Sequence, residues 1–394
     1  MISSRFNLNI IFYLFIVTVF SMMVSLFLLQ LFAGILSLFW LFESGKNKKE
    51  AIDIFAWLII VFGSVRILSI IFSNFPSVSY QAFYKDALFY LAFFSMSFYL
   101  KVLDKEKIKK IILAFIAGAV LVSIIGLVQF NLKVVDRAQA FSSGYATYSS
   151  FLLAALGLFL VSSSPNSEKN EKLFWLLGIS FLLSGIIASQ GRTNIAVAGL
   201  VFIAGMVFKK INLKSAVLII IVTSLISLIS FSNNRKEITE RVENPTTLSD
   251  RNIIMKGAEE LALTHPILGF GPRTFHNIFP YKNELADKGI GSWHNDFVQV
   301  YFESGLIGFL SFLAIIAAAI YYGLKIIRSK QNNEEEKNFT LGILLSVTAL
   351  ILSAITAGFI DSPVLSIEFA FFLSLFSLVL FLNDGKFLGN KRLS

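Results

Sequence analysis

The sequence predicts an all-α integral membrane protein, and three observations carry that prediction. Of 394 residues, 56% are apolar and only 15% charged, with a mean hydropathy of +0.73. A soluble domain cannot hide that much apolar surface, whereas a bilayer solvates it directly. The apolar residues fall into runs of membrane-spanning length, and the basic residues collect in alternate connections between them.

Allowing ~20 residues to cross ~30 Å of hydrocarbon, the chain holds about twelve helices. Residues 8–42 are too long for one span and read as two short helices joined by a tight turn. Further runs occupy 52–73, 83–101, 108–131, 145–162, 172–189, 192–208 and 214–232, then 297–325, 338–358 and 361–382. This divides the chain into an N-terminal bundle of about nine spans at 1–232, a polar loop at 233–295, and a C-terminal block of about three spans with a short tail at 296–394. Lys and Arg crowd 46–49, 101–110, 169–172, 209–214, 325–337 and 386–392. With both termini inside, all of these face the cytoplasm, and the 233–295 loop is extracytoplasmic. The net charge of +9 is then a topology signal and not the mark of a nucleic-acid partner. There is no cysteine, hence no disulfide or thiolate zinc site, and three histidines argue against a histidine metal centre. No cofactor is expected.

Within the loop, SDRNIIMKGAEELALTHP reads as a helix that Ser249 or Asp250 caps and Pro266 stops. Arg251, Ile254, Met255 and Ala258 share one face, so Arg251 points where the apolar residues dock. The following segment, GFGPRTFHNIFPYKNELADKGIGSWHNDFVQVYFESGLIG (269–308), is the richest in candidate chemistry. His294 lies at the start of a span, where a neutral imidazole is suited to accept a proton from a hydroxyl; an interfacial histidine bonded to water or headgroup is the bland alternative. Arg137, Arg192, Arg251 and Arg273, with Lys85, all fall on the outer side. Guanidinium forks there suit a pyrophosphate, and the competing explanation is anchoring to lipid phosphates. Arg66 lies within a span, where an ion pair and a ligand contact both remain open. Asp361 either orients His294, pairs with an arginine, or caps the helix before Pro363. Gly305 and Gly308 are expected to allow close helix packing, and Glu303 and Glu368 to partner basic residues. His265 and His276 read as loop structure.

In order and spacing, SQGRTNIA, the Arg251 helix leading to HPILGFGPRTF, the His294–Asn295 pair followed by Gly305-x-x-Gly308, and the late Asp361 resemble the bacterial O-antigen ligase and polymerase family. The similarity includes IFSNFPSVSYQAFYKDALFYL and covers most of the chain. It implies a GT-C-like, metal-independent, inverting glycosyltransferase. Such an enzyme moves a glycan from undecaprenyl diphosphate to a glycolipid or glycan acceptor, such as lipid A core, at the outer face of the bacterial inner membrane. Carried over, His294 and Arg273 resemble the catalytic residues, and Lys85, Arg137, Arg192, Arg251 and Arg273 the diphosphate contacts. Asn295 and Asp361 resemble supporting residues. Ligases acting on lipid A core carry a small polar residue two positions after the histidine, and here that position is Asp296. Ligase and polymerase therefore both stay open, and a flippase for lipid-linked sugars is the distant third reading.

Overall fold

A computed structural model of the protein describes residues 2–162, 169–232, 250–285 and 290–383. Its helices are α1 (Leu8–Ser21), α2 (Leu26–Leu41), α3 (Gly45–Ala51), α4 (Ile54–Ile71), α5 (Pro76–Lys85), α6 (Ala87–Leu100), α7 (Lys105–Asn131), α8 (Tyr145–Leu160), α9 (Lys169–Ala188), α10 (Arg192–Val207) and α11 (Leu213–Ser232). After the polar loop come α12 (Arg251–Leu261), α13 (Phe275–Ile278), α14 (Asp296–Arg328), α15 (Glu334–Ser353) and α16 (Pro363–Asn383). The protein is all-helical among its described residues. Ser249 and the basic tail 386–392 lie outside them.

A helix occurs at every expected span, and 8–42 is indeed a pair of short helices with a turn between them. The count of crossings is what differs. Among the described residues, seven helices are long and apolar enough to cross a membrane, or eight if the bent pair α2–α3 is one span. At 14, 16 and 16 residues, α1, α8 and α10 fall short of a full crossing. α8 compensates by being buried along almost its whole length, so it packs against protein instead of lipid.

Polar side chains start the helices. Asp53, Asp104 and Asn333 accept from the backbone N–H three residues on, at 3.1, 2.8 and 2.8 Å. Small residues then bring them together. A Cβ on Gly157 of α8 would press into the Ser346 backbone of α15, and Ser150 and Ser353 hydroxyls meet at 2.6 Å across the same interface. One end carries the ion pairs Lys105 to Glu335 at 2.7 Å and Lys101 to Asp53 at 2.8 Å. The opposite end is a polar rim built from the turns before α6, α10, α14 and α16 and the start of α12, and it carries the candidate site.

Candidate active site

The rim is organised by a break in α14. Gly305 has φ 64° and ψ −167° in the middle of this 33-residue helix. The break frees backbone groups, and the chain at 266–271 takes them up. Phe270 and Gly271 donate N–H bonds to the carbonyls of Phe302 (2.7 Å) and Glu303 (3.1 Å), while Leu306 and Ile307 donate to Pro266 (2.7 Å) and Ile267 (3.4 Å). A Cβ on Gly305 would strike the Ile267 carbonyl, and one on Gly269 would strike Phe302. The glycines of HPILGFGP and ESGLIG thus belong to one joint. Gly305 serves approach of a loop instead of a neighbouring helix, which corrects the sequence expectation; Gly308 does face Val65 of α4.

Beneath the joint lies a buried ionic network. Arg66, 3% exposed, donates to Glu303 Oε2 at 3.0 Å and to Asp86 Oδ2 at 3.1 Å. Arg273 donates from Nη2 to Asp86 Oδ1 at 2.7 Å and from its backbone N–H to Glu303 Oε1 at 2.8 Å. Gln299 bridges the network by donating to Glu303 at 3.2 Å and also to Asp361. Burial disfavours the charge on Arg273, yet Asp361, Asp86 and Glu303 outweigh it and hold the guanidinium more firmly protonated than usual. Burial pushes the Asp361 carboxyl up, partly offset by Arg273. The cavity alongside, lined by Phe62, Arg66, Asp86, Tyr90 and Phe312, holds about 20 Å³, room for one water and no ligand.

His294 stands above this network. It adopts φ 50°, between Trp293 and Asn295. Trp293 is buried, stacks on Phe302 at 4.1 Å and meets Phe275 and Phe279 edge-on. Asn295 caps α14 by accepting from Phe297 N (2.9 Å) and Val298 N (3.1 Å). Asp296 fixes the same turn: its N–H donates to Ala354 O at 3.0 Å and its Oδ2 accepts from Phe359 N at 2.7 Å.

The other candidates sit on separate elements. Arg251 donates to Thr356 O at 3.1 Å, two residues from the carbonyl that holds Asp296. Arg192 is the first residue of α10 and exposed. Its helix is tied to the same corner through Asn194, which accepts from Ser353 Oγ at 2.8 Å and donates to Ser149 at 2.6 Å. Arg137 lies over the Tyr145 ring at 4.2 Å, and Ala138 N donates to Ala188 O at 3.0 Å, joining its turn to that of Arg192. Lys85, exposed on α5, donates to Gln81 at 3.1 Å. Among the described residues, none of Lys85, Arg137, Arg192 and Arg251 pairs with a carboxylate, whereas Arg66 and Arg273 do.

Several expectations need correction. Glu303 partners Arg66 as anticipated, but both Glu368 oxygens are buried without a hydrogen-bond partner. α12 ends at Leu261, before Pro266, and Asp250 makes no side-chain cap there. On its face Ile254 and Ala258 are buried, but Met255 is 49% exposed. Asp361 accepts from Gln299 through one oxygen, its other oxygen is buried without a hydrogen-bond partner, and among the described residues it forms no ion pair with an arginine. Sequence reasoning missed Asp86, Gln299 and Asp296 as members of the site. For Asp86 the available signal is a carboxylate at a span boundary opposite an intramembrane arginine.

The fold and rim define a multi-pass helical membrane protein. Residues 177–313 match the family model described as O-Antigen ligase. The stretch holds Arg192, Arg251, Arg273 and His294, and over it the chain is similar to that family. No curated protein matches the chain.

Proposed function

We propose that the protein transfers a glycan from undecaprenyl diphosphate to an acceptor hydroxyl at the periplasmic face of the inner membrane, with inversion and without a metal. The carrying observation is that basic groups without carboxylate partners share one rim with His294. Arg137, Arg192, Arg251 and Lys85 bind the diphosphate and stabilise it as it leaves. His294 accepts the proton of the acceptor hydroxyl as that oxygen attacks the anomeric carbon, and undecaprenyl diphosphate departs with the bonding pair. Asn295 and Asp296 hold the turn that aims the imidazole. Ligase is the reading adopted, and a polymerase differs only in using a second lipid-linked repeat as acceptor.

Arg192→Ala tests the donor assignment. It should abolish transfer in membranes that contain normal amounts of the protein, and Arg192→Lys should restore little, because an ammonium lacks the bidentate fork. Full activity of Arg192→Ala would make the side chain a lipid anchor and sink the assignment.

A further inference from the structure

Arg273 differs from the other rim arginines in what it already holds. Asp86 has both oxygens occupied, Oδ2 by Arg66 and Oδ1 by Arg273. Glu303 likewise has Oε2 on Arg66 and Oε1 on the Arg273 backbone and Gln299. The contacts of both guanidiniums with carboxylates are thus made within the network, and the Asp361 carboxyl is tied to it through Gln299. A diphosphate arriving here would have to displace Asp86 from the Arg273 guanidinium. Arg192, Arg251 and Arg137 present no such obstacle.

The same residues control geometry. Arg273 occupies φ 63°, a left-handed conformation that a non-glycine residue keeps only when its surroundings hold it there. Its N–H on Glu303 and its side chain on Asp86 do this. The chain just before it, 266–271, is bonded to both sides of the Gly305 break. From Phe270 the connection runs through its N–H to Phe302 O, and from the Phe302 ring to Trp293, the neighbour of His294.

We propose that Arg273 is a positioning residue and not a donor ligand. With Arg66, Asp86 and Glu303 it forms a closed clasp that locks the 266–273 segment onto broken α14 and so aims His294. The effect on catalysis rests on the transferase reading above, whereas the clasp itself does not.

The test compares Arg273→Gln, Asp86→Asn, their double variant and Arg192→Gln as full-length protein in detergent. Two quantities are read: kcat and KM for lipid-linked donor, and, without substrate, amide hydrogen exchange of the peptide covering 266–273. Arg273→Gln and Asp86→Asn should each lower kcat by about 100-fold, the scale of a small misplacement of a catalytic group, with donor KM within about twofold. The double variant should be no worse than the poorer single one, because both remove one contact. Arg273→Lys should recover at least about tenfold over the glutamine variant by keeping the charge on Asp86. Exchange at 266–273 should quicken in both clasp variants and not in Arg192→Gln. A donor KM raised tenfold or more in Arg273→Gln, beside wild-type kinetics in Asp86→Asn, would overturn the proposal. Unchanged exchange in both clasp variants would overturn it too, and that readout holds even if no transfer is detected, which would count against the transferase reading alone.

Discussion

At the residue scale, the site is marked by backbone that its side chains do not favour. His294 and Arg273 sit at φ 50° and 63°, and Gly305 at 64°. Such conformations cost about 1–3 kcal/mol each for residues with a Cβ. The His294 turn is secured by Asn295 capping and by Asp296, the Arg273 turn by Glu303. Gly305 is the position where no side chain is tolerated. Gly305→Ala should therefore lower the thermal midpoint in detergent, by the equivalent of about 1–3 kcal/mol from strain alone, with a further loss from contact with the Ile267 carbonyl. An unchanged midpoint would mean that the joint at the break contributes little. The sequence made His294 and the rim arginines visible because charged and titratable groups stand out beside apolar runs. It could not show which arginines are already paired. Arg66 and Glu303 are separated by 237 positions, and nothing local to either names the other.

At the element scale, apolar run length was enough to find the helices, including the split of 8–42, but not to tell which of them are long enough to cross. It did not reveal that α14 is interrupted, because ESGLIG keeps the apolar period of a helix on both sides of Gly305. The interruption is written in two places at once: glycines at 269 and 271 let the loop approach, and Gly305 lets the helix receive it. Only their pairing through four backbone bonds makes the joint. The loop helix α12 was legible from its apolar face, but its end was not. Pro266 is spent on the joint, where its carbonyl accepts from Leu306, and not on stopping the helix. Glu368 shows the limit of pairing arguments. A carboxylate inside an apolar helix suggests a basic partner, and tertiary packing supplies none among the described residues.

At the scale of the whole molecule, the account requires the rim and the Lys105–Glu335 end to face opposite compartments. The absence of cysteine makes this directly testable. A single cysteine at Asn283 should react with an impermeant thiol reagent in intact cells whose outer membrane has been permeabilised, and one at Gln331 should not; equal labelling would overturn the orientation. The central claim, that this rim performs glycan transfer with His294 as its base, is tested most directly by turnover with defined components. Purified protein in detergent, given lipid-linked donor, acceptor and a chelator but no nucleotide, should form the transferred product. His294→Ala should lower that rate by roughly two to four orders of magnitude, the usual contribution of a positioned acid–base group, while donor binding persists. Transfer by His294→Ala at the wild-type rate, or its arrest in the wild type by chelator, would contradict the account.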